Sequence, residues 1–250
     1  MSDRAEPLPP AFYAASTTRR RAITDWWLLL HPPYTLWHLS YVAIGAAIAP
    51  RFDGGRLAAT LVAFLFAVGI GAHALDELHG RPLRTKIPGW LLVTAAAASL
   101  SIAVALGVIG VARVGASLIV FIVAGVILNC CYNLELFGGR LHNDVTFALA
   151  WGGFPVLTAY DAQANTLRPT AVLAAVAAYF LSAAQRRLST PARALRRTVA
   201  SVEGTVTYTD GHVAPLTKRV LLMPIEAALK LMTWGVVALA ATLVVLRTTT

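Results

Sequence analysis

Charged residues are scarce in this chain. Asp, Glu, Lys and Arg make up only 13% of its 250 residues, whereas hydrophobic residues make up 57%. Soluble domains ordinarily carry about 25% charged residues, so the composition argues against a soluble globular protein. A mean hydropathy of +0.66 points the same way. The sequence therefore predicts a polytopic membrane protein whose main solvent is lipid.

Cysteine is almost lacking, and no secretory signal is evident. Cys130 and Cys131 are adjacent inside an apolar run, which excludes a framework of spaced disulfides or a cysteine zinc site and favours packing. Residues 1–22 are polar, and Pro32-Pro33 interrupts the apolar sequence after the Arg19-Arg20-Arg21 cluster too early for a signal peptide. We therefore expect an integral protein of the plasma (inner) membrane.

Acidic residues are outnumbered by basic ones, twelve against 21, which gives a net charge of +9. The basic residues form short clusters between apolar runs rather than one soluble face, so we expect no nucleic-acid partner. Membrane lipids with anionic head groups, or a phosphorylated substrate, fit this arrangement better. Histidine clusters of the HxxHH type are also missing, which argues against a di-iron membrane enzyme.

Long apolar runs divide the chain into about seven expected membrane spans, most of them near the length that a bilayer requires. They cover residues 34–49, 57–75, 90–112, 114–136, 145–160, 169–185 and 220–246. The predicted fold class is all-α, a polytopic transmembrane helical bundle. The expected division is an N-terminal segment with an interfacial helix (1–32), a six-helix core (33–187), a cytoplasmic cap (188–219) and a last membrane helix with its tail (220–250).

Local signals predict the structure outside the spans. Trp26-Trp27, close to the triple arginine, predicts an interfacial helix at residues 23–30. Ser189-Thr190-Pro191 is typical of a helix start and predicts a short basic helix to about residue 200. Alternation in residues 205–208 before Asp210-Gly211 predicts a small hairpin over the cytoplasmic mouth.

The basic residues also predict a topology. If the N-terminus is cytoplasmic, sixteen of the 21 basic residues fall on the cytoplasmic side. The five that remain outside are Arg51, Arg56, Arg113, Arg168 and Arg247. The positive-inside rule therefore predicts a cytoplasmic N-terminus and an external C-terminus. Residues 73–88, 133–144 and 186–219 then share the cytoplasmic face, where one site can use all three.

The first candidate constellation ends the second span. His73, Asp76 and Glu77 stand at i, i+3 and i+4, so an imidazole and two carboxylates line one helical face that can hold a divalent metal. Carboxylates suit Mg²⁺, which usually completes its shell with water and substrate phosphate, so a diphosphate is the expected third party. An interfacial salt bridge from either acid to Arg81 or Arg84 is the open alternative.

The second constellation lies around the connection between the fourth and fifth spans. Its members are polar or charged residues at the inner ends of two helices: Asn129, Tyr132, Asn133, Glu135, Arg140, His142, Asn143 and Asp144. Asn129 is as well suited to a bond between helices as to a pocket. Asp144 is as well suited to capping the fifth helix as to binding metal.

Three ordered segments of the chain resemble the UbiA superfamily of intramembrane prenyltransferases. Residues 30–49, LHPPYTLWHLSYVAIGAAIA, resemble its first helix, with His31 where an arginine before proline is usual. Residues 72–88, AHALDELHGRPLRTKIP, resemble the end of its second helix, where an Asp-rich motif precedes an RPL-type turn. Residues 131–160 are similar to the tyrosine-bearing loop and glycine-rich helix after its fourth span.

The resemblance implies a UbiA-like membrane prenyltransferase that uses Mg²⁺. A prenyl diphosphate would bind at the cytoplasmic mouth, its isoprenoid would lie between helices, and a small-molecule or lipid acceptor would capture the prenyl group. Asp76, Glu77 and Asp144 are the expected metal ligands, and Glu135 joins Asp76 and Glu77 as a catalytic candidate. The expected substrate-binding residues are His73, Arg81, Arg84, Lys86, Asn129, Tyr132, Asn133, Arg140, His142, Arg186 and Arg187.

The chain also departs from the family pattern. Its first-motif acids are adjacent instead of spread over two turns, and about seven spans stand where nine are usual. No second Asp-rich motif follows the sixth span, where Gln185-Arg186-Arg187 and then Arg193, Arg196 and Arg197 occur. Arginines that bind diphosphate with one metal or none, or a fold kept without prenyl transfer, are both consistent with this change.

Two other function classes remain open at the sequence level. One is a non-catalytic lipid-binding or scaffold protein on the same bundle, which would tolerate Asp76→Asn and Glu77→Gln without losing its ligand. The other is a small proton-coupled transporter in which His73 and Glu135 carry the protons, because ionisable groups within a membrane are costly and usually functional.

Overall fold

The computed structural model describes residues 22–249, and most of them are helical. The helices are α1 (Ala22–Leu30), α2 (Pro32–Ala47), α3 (Gly54–Phe64), α4 (His73–Leu78), α5 (Gly89–Arg113), α6 (Leu118–Asn133), α7 (Asp144–Ala148), α8 (Phe154–Ala164), α9 (Pro169–Arg197) and α10 (Lys218–Thr249). Two π-helical segments join α3 to α4 and α7 to α8, so that each set forms one continuous rod: Leu65–Ala72 and Leu149–Gly153.

The rods follow the predicted spans in order. Three helices of the described chain are long and apolar enough to cross a membrane: Gly54–Leu78, Gly89–Arg113 and Lys218–Thr249. The predicted all-α, membrane-embedded fold is confirmed. The side of the membrane on which each end lies stays a prediction, as does the division of the chain into four segments.

Helices approach closely where glycine removes a side chain. A Cβ atom on Gly45 of α2 would overlap the carbonyl group of Val156 in α8, and one on Gly152 would lie 2.6 Å from the carbonyl oxygen of Ala178 in α9. Trp37 and Tyr41 of α2 pack into the same region and are almost fully buried. Close backbone contacts therefore fix α2 against α8, and the π-helical segment before α8 against α9.

The predicted helix start at Ser189-Thr190-Pro191 is wrong, because α9 runs through Pro191 to Arg197. A proline inside a helix costs about 3 kcal/mol, so packing must hold the two halves together. Ala192 is completely buried against Leu222 of α10, and Leu188 and Leu195 pack beside them on either side of the proline. Tertiary contacts on both sides of Pro191 thus override the local signal.

Two other local predictions are confirmed. α1 covers the expected helix at residues 23–30. Strands β1 (Thr205–Thr207) and β2 (Val213–Pro215) form the expected antiparallel hairpin, with Gly211 in its turn at φ +85°. The triple arginine at residues 19–21 lies outside the described residues.

Candidate functional site

The loop between α4 and α5 is held from inside by Glu77. Its carboxylate is fully buried and accepts hydrogen bonds from the backbone N–H groups of Leu83 at 2.9 Å and Thr85 at 2.8 Å. The Thr85 hydroxyl donates a third bond at 2.9 Å. Three donors compensate for the burial of one carboxylate, so the Glu77 side chain organises this loop instead of facing a ligand.

Asp76 faces in a different direction, because successive helical residues are about 100° apart. Its carboxylate is partly buried and lies within electrostatic range of His142, Arg193 and Arg186. Those three groups belong to the α6–α7 connection and to α9. The carboxylate that lies among the site's cations is therefore Asp76.

Two histidines pack together at the start of α4, where Asp76 follows His73 by three residues. The rings of His31 and His73 are 5.2 Å apart, and His73 Nδ1 donates to the carbonyl oxygen of Gly69 at 3.1 Å. The Nε2 atom of a neutral His73 is then an acceptor. Burial lowers the pKa of His31 well below its ordinary value of 6.5, and the positive charges of Arg197 and Arg193 lower it further. His31 is therefore neutral at pH 7, and the arginines of α9 lie close enough to influence it.

Aromatic rings close the site at the end of α6. The buried ring of Tyr132 stacks on His142 at 4.4 Å and meets Trp151 edge to face at 5.9 Å. Its hydroxyl is buried without a hydrogen-bond partner among residues 22–249. Asp76, Arg186 and Arg193 act on that hydroxyl electrostatically. A buried polar group without a partner is costly, so this hydroxyl is available to a ligand.

Glu135 lies at the rim and connects two loops. Its side chain is 41% exposed, with Oε2 at 3.4 Å from His79 Nε2 and Oε1 at 3.8 Å from His142 Nδ1. The same Nδ1 atom lies closer, at 3.1 Å, to the carbonyl oxygen of Tyr132, which accepts its hydrogen. Glu135 thus lies beside His79 and His142 and stands outside the group around Asp76.

Arg186 is oriented by neighbours on α7. Its Nε donates to Asp144 Oδ1 at 3.1 Å, and its guanidinium lies over the Phe147 ring at 5.1 Å from the centroid. Asp144 therefore serves as the partner of an arginine, while Asn143 supplies the side-chain cap of α7. The side chain of Arg187 is 82% exposed and only 4.0 Å from Asp144 at its Nε. The two neighbouring arginines thus differ in burial and in contact.

The sequence offered Arg193 and Arg197 only within the group of arginines after the sixth span that could bind diphosphate, and did not assign them to the site individually. Arg193 is partly buried, and Arg197 Nη1 donates to the carbonyl oxygen of Pro82 at 3.1 Å. Together with Arg186 they stand at i, i+7 and i+11, which is one face of a continuous helix. The signal was present in the sequence, but the predicted helix start at residues 189–191 separated Arg186 from the other two.

The remaining predicted site residues either link backbone segments or are exposed at the edge of the site. Asn129 Nδ2 donates to the carbonyl oxygen of Ala67 at 2.8 Å, and Asn133 Nδ2 donates to the carbonyl oxygen of Asn129 at 2.7 Å, so both amides link backbones. Arg81 Nη1 donates to the carbonyl oxygen of Ile87 at 2.7 Å and closes its own loop. Three cations are exposed at the rim: Arg84, Lys86 and Arg140.

An apolar cavity of about 620 Å³ adjoins the site between α3, α5, α6 and α8. Asn129 and Trp151 line its inner end, and Trp151 is the residue whose ring contacts Tyr132. His38 of α2, another residue not predicted for the site, donates from Nδ1 to the carbonyl oxygen of Trp151 at 2.8 Å. The aromatic group at the end of α6 therefore lies between the charged site and the cavity.

The predicted Mg²⁺ ligands are not brought together. Asp76 faces the site, Glu77 binds its loop, and Asp144 pairs with Arg186. Within residues 22–249, no group of three or more His, Cys, Asp or Glu side chains is arranged to hold a metal ion. The described side chains therefore do not fit a metal cluster, and arginines supply the positive charge of the site.

Comparison with known proteins supports the fold. No protein-family model and no curated protein matches the sequence. Among solved structures, the chain is similar to a UbiA homolog from Archaeoglobus fulgidus bound to Cd²⁺, with a TM-score of 0.50 and 17% sequence identity. The match covers 88% of this chain and 83% of that one. This likeness shows that the fold is UbiA-like, and at this identity it shows the fold alone.

Proposed function

We propose that this protein is a divergent membrane prenyltransferase that binds the diphosphate of an isoprenoid with arginines instead of a metal cluster. The observation that carries the proposal is the arginine face of α9. The charges of Arg186 and Arg193 interact electrostatically with the carboxylate of Asp76 and with the unpaired hydroxyl of Tyr132. A buried hydroxyl donor beside two guanidinium groups suits a polyanion.

The site and the cavity supply the two halves of such a ligand. The diphosphate would accept hydrogen bonds from Arg186, Arg193 and Tyr132. The isoprenoid chain would pass Trp151 into the apolar cavity, whose volume of about 620 Å³ lies within the usual range for small-molecule sites, roughly 300 to 1,000 Å³. The UbiA-like fold supports this arrangement by analogy alone, because one fold can carry many different functions.

The proposed reaction breaks the bond between the first carbon of the isoprenoid and its diphosphate oxygen. The electron pair leaves with the diphosphate, where arginine charge stabilises it. A lone pair of the acceptor forms the new bond to the allylic cation, and the acceptor's proton passes to the carboxylate of Asp76. The rings of Tyr132 and Trp151 would face the cation and stabilise it.

The test uses the full-length protein in nanodiscs with labelled farnesyl and geranylgeranyl diphosphate, together with candidate small-molecule and lipid acceptors. We expect saturable binding that persists in EDTA, together with release of inorganic diphosphate. Arg186→Gln should weaken binding by about tenfold or more, because it removes a charge-assisted contact. Arg187→Gln is the matched control, since it removes the neighbouring charge from an 82% exposed side chain. Absence of both binding and release would exclude the proposal.

The separation of the three predicted acidic metal ligands supports a second candidate function. Because Asp76, Glu77 and Asp144 have separate surroundings, the same bundle would also serve as a non-catalytic binder of isoprenoid diphosphates. This candidate predicts binding that depends on Arg186 but no release of diphosphate with any acceptor. The binding and release arms of the experiment therefore separate the two candidates.

A further inference from the structure

The end of the apolar cavity opposite the candidate site is positively charged. Arg56 near the start of α3 and Arg113 at the end of α5 line the cavity there, with Asp53 beside them. The guanidinium of Arg56 donates to the carbonyl oxygens of Gln163 at 2.9 Å and Arg113 at 3.3 Å. These two bonds fix the Arg56 side chain against α8 and α5 and leave it other N–H donors.

Arg113 adds a second cation to this end. Its side chain is exposed at the cavity rim and makes no hydrogen bond or ion pair with the part of the chain that the structure describes. Asp53 Oδ1 accepts the backbone N–H of Arg56 at 2.9 Å, and this bond lowers the pKa of Asp53, which keeps it ionised. Two guanidinium groups against one carboxylate leave a net positive charge at the rim.

Between the two ends, the lining residues within 22–249 offer no competing polar group. Thr60 and Thr158 line the cavity, but their hydroxyls donate to the carbonyl oxygens of Arg56 and Phe154 in their own helices, at 2.7 Å and 2.8 Å. Along this wall α6 rises by about 16 Å between Leu118 and Asn129. That length fits an extended chain of roughly 12 to 14 carbons.

We propose that this cavity binds a long-chain carboxylate, with its head group between Arg56 and Arg113 and its chain directed toward Trp151. A guanidinium recognises a carboxylate through charge-assisted hydrogen bonds. The proposed prenyl transfer gives this charge no role, because the charged end of its substrate would lie at Arg186, at the opposite end of the cavity. The two hydrocarbon chains would occupy the same cavity, so the carboxylate and the prenyl diphosphate would exclude each other. The inference therefore goes beyond the proposed function and does not rest on it.

The experiment measures binding of radiolabelled tetradecanoate to the full-length protein in nanodiscs of uncharged lipid, without any diphosphate. Empty nanodiscs correct for partition into lipid. We expect saturable binding, with tetradecan-1-ol, which has the same chain and no charge, at least about tenfold weaker. Arg113→Gln should weaken the binding of tetradecanoate by a similar factor and leave the binding of the alcohol unchanged.

Two further variants keep the test decisive. Arg51→Gln is the matched control, since Arg51 is exposed in the loop before Asp53 and does not line the cavity, so it should leave binding unchanged. Ala103→Phe narrows the cavity and should weaken the binding of the acid and of the alcohol alike. Equal affinity for acid and alcohol, or equal losses in Arg113→Gln and Arg51→Gln, would overturn the proposal. Displacement of tetradecanoate by added phosphatidylglycerol would overturn it as well, because a lipid head group would then be the ligand.

Discussion

Asp76 and Glu77 are neighbours in sequence with different surroundings. The Glu77 carboxylate has three hydrogen-bond donors from the loop between α4 and α5 and is fully buried. The Asp76 carboxylate is within electrostatic range of the cations of α9. One acid therefore serves the stability of the site's wall, and the other is free to serve its chemistry.

Glu77→Gln should lower stability, because an amide nitrogen cannot accept the hydrogen bonds that Leu83 and Thr85 now donate. The loss of a buried, charge-assisted bond costs about 1 to 3 kcal/mol. In a chain of this size we expect a decrease in Tm of roughly 5 °C, measured for the detergent-purified protein. Glu77→Ala should decrease it further, since all three donors then lose their acceptor.

Asp76→Asn is the matched variant, and we expect it to lower activity and leave stability unchanged. Its Tm should stay within about 1 °C, because ordinary substitutions outside packed networks have small effects. Binding of the prenyl diphosphate should persist or tighten, since one negative charge leaves an anion site. Diphosphate release should fall by about 100-fold or more if Asp76 accepts the proton. A loss of binding in Asp76→Asn would instead indicate a metal held by this carboxylate.

At the scale of elements, the two π-helical segments carry the contacts that assemble the site. In the first segment, the carbonyl oxygens of Ala67 and Gly69 accept bonds from Asn129 and His73. In the second, the carbonyl oxygen of Trp151 accepts a bond from His38. Widened helical turns offer carbonyl groups to side chains, which explains why such turns are frequent at functional sites.

The close packing of α2 against α8 gives a prediction for an element. Gly45→Ala should destabilise the bundle, because its new methyl group would overlap the backbone of Val156 and force the helices apart. We expect a decrease in Tm of roughly 5 °C. Gly235→Ala in α10 is the control, since no atom lies within 4 Å of its added Cβ, and it should be neutral or slightly stabilising. Equal effects of both substitutions would exclude the packing explanation.

The predictability of the fold and of the site differs for physical reasons. Apolar length alone specifies the rods, so the spans and the hairpin at Asp210-Gly211 could be predicted. The continuity of α9 could not, because burial of Ala192 and Leu222 outweighs the local effect of Pro191. The different roles of Asp76 and Glu77 could not be predicted from the sequence either. Their spacing is compatible with one face, and only the folded loop shows where the donors to Glu77 lie.

At the scale of the whole molecule, the two ends of the cavity differ in the groups they present. The inner end adjoins the site with Asp76, the histidines and the arginines of α9. The far end presents Arg56 and Arg113. A ligand that enters from one side therefore meets a different chemistry from one that enters from the other.

This polarity makes the orientation in the membrane a testable property. The predicted topology assigns sixteen of the 21 basic residues to the side of the candidate site, and by the positive-inside rule we expect that side to face the cytoplasm. The test replaces Cys130 and Cys131 by alanine and introduces single cysteines at the exposed positions Arg51 and Asp210. A membrane-impermeant maleimide should label Arg51→Cys in intact cells and Asp210→Cys only after permeabilisation.

The labelling pattern also decides between the entry routes. If Arg51→Cys is labelled from outside, the rim with Arg56 and Arg113 faces the outer leaflet and takes its carboxylate from there, whereas the prenyl diphosphate reaches Arg186 from the cytoplasm. The reverse pattern would contradict the predicted topology and exchange the two routes. In the predicted topology of about seven spans, Arg51 follows the first span and Asp210 follows the sixth, so the two labels are expected to report opposite sides. Labelling of both from outside would therefore contradict the predicted number of spans as well.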